Sequence, residues 1–395
     1  MRRVAVTGIG MITPLGRDVA TTWSGLVEGR SGVGPIRRFD ATGFPVTFAA
    51  EVDLEREDAD EGQLKLDLAE VALDEALGMS GPLPYDRIGV CVGSEAARPS
   101  LGVIGRRYRL SEVPGHDELA RAAPQSPSLY VHQRLGVPGP VTTISTACTS
   151  SSQAVGEAVL RIRRGEVDAM VAGGVDLLVN PVMVTGFSLL GALSTRNEEP
   201  QRASRPFDRG RDGFVLGEGA GFLVLEELEA ARSRGAEVLG EVRGYGCSCN
   251  AYRITDSPPD GRGAAQAMAL AIDDARLHPS DIGYVNAHGT STPMNDASES
   301  RGVLKVFGEH PVPVSSTKSS MGHLVAACGA VEAIVALLAV REGVLPPTIN
   351  LDQPDPECAV EHVPNAAREV RIDHAVTNAF GFGGSNGSLV MSRLP

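Results

Sequence analysis

Aromatic residues are scarce in this chain, at 4% of 395 residues with a single Trp. Positive charge is scarce too: 36 Lys and Arg against 49 Asp and Glu leave a formal net charge of −13. That balance argues against general binding to nucleic acid or an anionic membrane, which both need positive potential, and leaves room only for a local basic patch. Cysteine is unpatterned. The six residues Cys91, Cys148, Cys247, Cys249, Cys328 and Cys358 form no C-x-x-C clusters, so neither a zinc site nor a disulfide framework is indicated. Free thiols in a reducing cytoplasm are expected. A secretory signal is lacking, because the basic Met1-Arg2-Arg3 is followed only by a strand-length run, Val4 to Gly8. The longest apolar stretch, Leu324 to Val340, is interrupted by Glu332 and falls short of the roughly 20 residues of a membrane span. It reads as a helix buried inside a protein.

What is present is ordinary globular material, 42% hydrophobic and 22% charged, with 46 Gly and 26 Pro to make many tight turns. The chain also repeats itself. Val6-Thr7-Gly8-Ile9-Gly10 resembles Val242-Arg243-Gly244-Tyr245-Gly246. The helical stretch Leu68 to Leu77 followed by Arg87-Ile88-Gly89-Val90 resembles Ala267 to Leu277 followed by Asp281-Ile282-Gly283-Tyr284. Ile144-Ser145-Thr146 leads into an apolar helix ending at Gly165, as Val314 to Thr317 leads into one ending at Gly343. Asp168 to Val171 matches His374 to Thr377, and Gly221 to Leu225 matches Gly387 to Met391. Five matches in one order predict two similar α/β halves, 1–240 with insertions and 241–395. Continuous apolar runs such as Ala169 to Gly173 predict strands covered on both faces.

In open α/β units ligands sit beyond the carboxyl ends of the strands, so the strand-to-helix junctions carry the candidate site. Cys148 begins a helix, where unpaired N–H groups and the macrodipole favour thiolate. His288 ends a strand and is followed by hydroxyls, including Thr290 and Thr292. Lys318 and His323 precede the apolar helix that Glu332 interrupts, and Lys318 is the economical partner for that carboxylate. The repeat places the Cys148 and His323 junctions in equivalent positions facing one another. A thiol, two histidines and a buried lysine in one site indicate nucleophilic acyl chemistry.

The segments Thr146-Ala147-Cys148-Thr149-Ser150, Asn286 to Thr292, Ser316-Thr317-Lys318-Ser319, Gly322-His323 and Asn378 to Gly387 resemble those of the type II β-ketoacyl-[acyl-carrier-protein] synthases. The resemblance runs over nearly the whole chain. It implies a thiolase-like fold of two duplicated α/β halves in five αβαβα layers. It also implies an acyltransferase in which Cys148 takes an acyl chain from the phosphopantetheine of an acyl carrier protein, with no cofactor of its own. Backbone N–H groups of Cys148 and Phe382 would form the oxyanion hole, and His288 and His323 would stabilise the charge formed when the malonyl unit loses CO₂. Lys318 would orient His323 and hold Glu332. Thr290 and Thr292 would hold the pantetheine arm, Phe382 would gate the nucleophile, and Phe187 and Phe380 would line the acyl site. A homodimer, or a heterodimer with a chain-length-factor-like subunit, is implied in fatty-acid or polyketide elongation. The competing expectations are a non-catalytic chain-length-factor-like subunit and a degradative thiolase. Against the first stands Cys148 with both histidines; against the second, Phe380 and Phe382 where a second catalytic cysteine belongs.

Two motifs point elsewhere. Gly8-Ile9-Gly10 hints at dinucleotide binding but lacks the third Gly, and Asp208 to Gly213 has calcium-loop flavour with the wrong spacing, so a turn before a strand at Phe214 is expected. The departures concern docking. Of the basic residues usual before the helix beginning near Leu66, only Lys65 remains, and Ser188-Leu189-Leu190-Gly191 lacks the family's frequent Arg. Arg106, Arg107 and Arg109 are therefore the expected contact for an acidic carrier.

Overall fold

Strands with every residue buried run through the middle of the molecule, among them Val4–Ile12 and Ala169–Asp176. The computed structural model describes residues 2–54, 60–97, 101–113, 115–308 and 310–394, excluding the side chains of 101–104 and 106. Among the described residues one large sheet holds β1 (Val4–Ile12), β2 (Ile88–Ser94), β3 (Val141–Ile144), β4 (Ala169–Asp176), β5 (Gly219–Glu227), β6 (Gly240–Cys249), β7 (Tyr284–Asn286), β8 (Pro313–Ser315), β9 (Glu361–His362), β10 (His374–Phe380) and β11 (Ser385–Ser392). Their order is β9-β8-β7-β10-β11-β6-β1-β5-β4-β2-β3.

From the centre outward, β1-β5-β4-β2-β3 and β6-β11-β10-β7-β8 follow one scheme. Two antiparallel steps are followed by two parallel ones in each run. The runs are joined at their central edges by Ala5 opposite Glu241 and Val6 opposite Gly240. Even the irregularities agree. The β1/β5 ladder skips Thr7, and the β6/β11 ladder skips Arg243.

The helices supply the layers. Helices α2 (Ser150–Arg163) and α5 (Cys328–Glu342) touch one another and lie between the two runs of strands. Helix α1 (Glu61–Ser80) covers the outer face of β1 and β5, and α3 (Arg262–Asp274), backed by α4 (Pro293–Phe307), covers β6 and β11. The arrangement is αβαβα. A helix flanked on all sides has no solvent face, which is why Cys328 through Val340 are all buried. No helix of the described residues is long and apolar enough to cross a membrane.

Gly8 and Gly10 serve packing. A Cβ on Gly10 would lie 2.0 Å from the Ala72 carbonyl oxygen of α1, and one on Gly246 would lie 2.3 Å from that of Ala267 in α3. Missing side chains let each outer helix close onto its strand, so the glycine pattern that hinted at a dinucleotide is explained by the layers. Helix α1 begins at Glu61, earlier than the apolar periodicity indicates, because the Asp60 carboxylate caps it by accepting the Gln63 N–H at 2.8 Å.

Candidate active site

Between β3 and α2 the chain makes a tight elbow. Ala147 adopts φ +53°, and a short 3₁₀ turn, Ala147–Thr149, runs into the helix. Glu95 Oε1 accepts the Ala147 N–H (3.2 Å) and the Ser145 hydroxyl (2.9 Å), while Ser150 Oγ accepts the Thr146 N–H at 2.9 Å. The opposite helix start repeats the geometry. Val325 has φ +45°, and Asp176 Oδ2 accepts the Ala326 N–H at 3.0 Å.

Cys148 rides on the first elbow, buried, with its own N–H and that of Phe382 hydrogen-bonding the sulfur. Burial dominates and pushes the thiol up to about 12, although Lys318 and the two N–H groups pull it down. Cys148 therefore rests as a neutral thiol. The helix start alone suggested a thiolate; desolvation outweighs it.

His323 Nε2 lies 3.1 Å from Cys148 Sγ. Its backbone is clamped, with N–H to Val215 O at 2.7 Å and O accepting Gly217 N–H at 2.9 Å. Its Nδ1 accepts the Val325 N–H at 3.2 Å. Lys318 Nζ pairs with Glu332 Oε1 at 2.5 Å, both side chains sealed from water. Burial works against the Lys318 charge, but the Glu332 carboxylate beside it leaves the ammonium above its ordinary value. No hydrogen bond joins Lys318 to His323 among the described residues; the lysine acts on the ring through its charge.

His288 closes β7 and meets His323 edge to face, ring centroids 5.3 Å apart. Glu299 of α4 holds the turn from below, accepting the His288 N–H (2.9 Å), the Gly289 N–H (2.7 Å) and Asn378 Nδ2 (3.1 Å). Asp296 accepts the Thr290 N–H and the Phe207 N–H, both at 2.9 Å, with Arg211 Nε 3.5 Å away. Burial first, then Lys318, hold both imidazoles well below 6.5, with His323 adding to the effect on His288, so both rings are neutral.

Thr290 and Thr292 bond one another through their hydroxyls (2.8 Å) at the start of α4. Phe380 packs on His288 with centroids 5.7 Å apart. Phe382 sits partly exposed on the turn after β10, beside Gly383 at φ +84°. Phe187 does not reach His323 directly: Phe214 stands between, 5.3 Å from Phe187 and 5.2 Å from His323. Phe214 and Cys328 were not singled out by sequence reasoning. Phe214 lies not in a strand but in an isolated bridge with Leu193. The acids just before it are engaged within the protein, Asp208 with Arg205 Nε at 2.9 Å and Asp212 with Arg196 Nε at 3.7 Å.

Donor atoms of Cys148, His288 and His323 lie within 4.8 Å of one another, a spacing a metal ion could use. The buried Lys318 ammonium, whose field reaches all three, disfavours a dication there. Of the basic residues expected to meet a carrier, Lys65 is buried and offers no cation to a partner. Arg107 is paired with Glu118, Arg109 is exposed, and the Arg106 side chain lies outside the described residues.

Comparison with known proteins agrees with this geometry. The β-ketoacyl synthase N-terminal domain model matches residues 1–231 and the C-terminal domain model residues 239–352. The chain is 43% identical, over all of itself and 99% of the relative, to 3-oxoacyl-[acyl-carrier-protein] synthase 2 of Vibrio harveyi. It superposes over its full length, and that of the other chain, on a type II polyketide ketosynthase solved with its acyl-carrier protein and a hexaketide (TM-score 0.91, 33% identity). It does so equally on the ishigamide ketosynthase/chain length factor (TM-score 0.91, 34% identity). With its two central helix starts and the turn after β7 bringing a thiol, two imidazoles and a lysine together, the chain belongs to the β-ketoacyl synthase family.

Proposed function

We propose that the chain catalyses decarboxylative condensation of a malonyl unit, carried on the phosphopantetheine of an acyl carrier protein, with an acyl group held on Cys148. The observation that carries this reading is the placement of Cys148 Sγ: 3.1 Å from His323 Nε2, with the N–H groups of Cys148 and Phe382 on the sulfur.

In the first half-reaction Cys148 Sγ attacks the acyl thioester carbonyl and the carrier sulfur departs, taking up the proton that Cys148 gives away. The two N–H groups that hold the sulfur are placed to hold the tetrahedral oxyanion. In the second, the malonyl thioester loses CO₂ and its electron pair becomes an enolate. Two neutral imidazoles can donate to the enolate oxygen without first losing a charge, and both lie beside Cys148. The carbanion attacks the acyl-Cys148 carbonyl, the C–S bond breaks, and 3-oxoacyl-carrier leaves with the Cys148 thiolate regenerated and then protonated from solvent. Burial first, and then the field of Lys318 held by Glu332, keep the imidazoles unprotonated. Thr290 and Thr292 hold the pantetheine arm, Phe382 gates the thiol, and Phe187, Phe214 and Phe380 line the acyl side.

The same reading takes residue 240 as the division between halves, places the enzyme in the cytoplasm, and gives it a second copy or a chain-length-factor-like subunit as partner. The structures of relatives with a carrier protein and with a chain length factor support those partners. The test is mass spectrometry of the protein after exposure to acyl-carrier, then to malonyl-carrier. Acyl mass on Cys148 and a 3-oxoacyl product are expected. Acyl mass persisting in Cys148→Ala, or condensation with an acetyl but not a malonyl thioester, would overturn it.

A further inference from the structure

Cys328 opens α5 directly behind the catalytic imidazole. Its Sγ lies 3.2 Å from His323 Nδ1, on the side of the ring opposite Cys148, and accepts the Leu324 N–H at 3.2 Å. The Val325 N–H donates to the same ring nitrogen. An imidazole nitrogen that accepts an N–H carries no proton of its own, so the ring proton belongs on Nε2. Cys328 is fully buried, and burial first of all keeps its thiol protonated. With the Leu324 N–H on the sulfur, the S–H has His323 Nδ1 as the acceptor within reach.

We infer that Cys328 is a positioning residue: its thiol, with the Val325 N–H, holds His323 as the Nε2–H tautomer and fixes the ring against rotation. His323 is then restricted to donating from Nε2, toward Cys148 Sγ at rest and toward a substrate oxygen during condensation. A core-filling role would be served by alanine, which already occupies 326, 327 and 330 around it, all buried. The inference rests on the donor role proposed for His323.

The test compares Cys328→Ala and Cys328→Ser with the parent enzyme in three measurements: the rate of acyl transfer to Cys148, kcat for condensation, and ¹⁵N NMR of histidine-labelled protein. Loss of a partner that orients a functional histidine typically costs 10- to 100-fold; because Val325 remains, the alanine variant is expected to lose roughly 10-fold in condensation kcat, with acyl transfer unchanged. Its His323 nitrogens should move from the well-separated shifts of one tautomer toward averaged values. Serine, which keeps a hydroxyl donor, should restore both. Unchanged kcat and shifts in Cys328→Ala, or a parent His323 protonated at Nδ1, would overturn the inference. So would acyl transfer falling in step with condensation, the mark of a packing defect. Normal condensation by His323→Ala would instead sink the donor role on which it rests.

Discussion

Lys318 and Glu332 form an ion pair 2.5 Å long with both side chains shut away from solvent, one on the turn before α5 and the other inside it. Such a pair is worth little relative to apolar residues of the same shape, but removing one partner leaves an unmatched charge. Glu332→Ala should therefore cost about 3–5 kcal/mol in chemical denaturation, while Lys318→Met with Glu332→Leu should recover most of that stability. The double variant should still be catalytically altered. Without the ammonium the imidazoles take up protons more readily, so the acidic limb of the condensation profile should move to higher pH. A double variant with an unchanged profile would show that the pair is structural only.

The two half-reactions should separate at the histidines. The oxyanion donors proposed at Cys148 are backbone N–H groups, which His288→Ala and His323→Ala leave in place. Both variants should form acyl-Cys148 and lose roughly 10²–10³ in condensation, the usual cost of one preorganised donor. Single-turnover acylation and steady-state condensation on the same preparations decide it. A variant slow in acylation but normal in condensation would reverse the assignment.

How much of this was legible beforehand depends on what spacing can encode. The five repeated segments lie on β1 and β6, β2 and β7, the strand ends before α2 and α5, β4 and β10, and β5 and β11. Their order survives because each is a local run of apolar residues and glycines. The approach of Cys148 to His323 followed from the same repeat. Burial was legible for the apolar helix around Glu332 and its partner Lys318 but not for every polar side chain. Lys65 reads as a surface cation beside acidic residues, yet α1 turns it inward; the Cys148 helix start reads as a thiolate site, yet desolvation reverses it. Phe214 and Cys328 carry no pattern of their own. Phe214 reaches His323 through an irregular segment, and Cys328 looks like any small residue at a crowded helix start.

Two pairs of buried groups pull stability in opposite directions with pH. Burial lifts Glu218 and Glu299 to about 7, against an ordinary value of 4.5. Groups raised in this way stabilise fully below their unfolded values, and that contribution disappears as pH rises through about 7. His288 and His323 are depressed below 6.5, so their contribution is present above that value and is lost as pH falls through the unfolded value toward the folded one. Measured against Glu218→Gln, the parent should lose melting temperature between about pH 5 and 7 and run parallel to the variant above about pH 8. A difference between parent and Glu218→Gln that stays constant from about pH 5 to 7 would show that Glu218 does not bind a proton as the fold requires.

The close approach of the outer helices makes the last expectation, and it separates packing from helix propensity within one element. At Gly10 and at Gly246 a methyl group would run into backbone carbonyls of α1 and α3, which cannot rotate away as a flexible side chain can. Gly10→Ala and Gly246→Ala should each cost about 1–3 kcal/mol, the usual range for overpacking. Gly78, inside α1 itself, has nothing within 4 Å of a new Cβ. Gly78→Ala should be neutral or stabilising by up to about 1 kcal/mol, since alanine is the better helix former. Urea titration of the three variants checks the contrast. If Gly10→Ala were as stable as Gly78→Ala, the strand and helix could separate at no cost, and the glycine pairs would not be what sets the spacing of the layers.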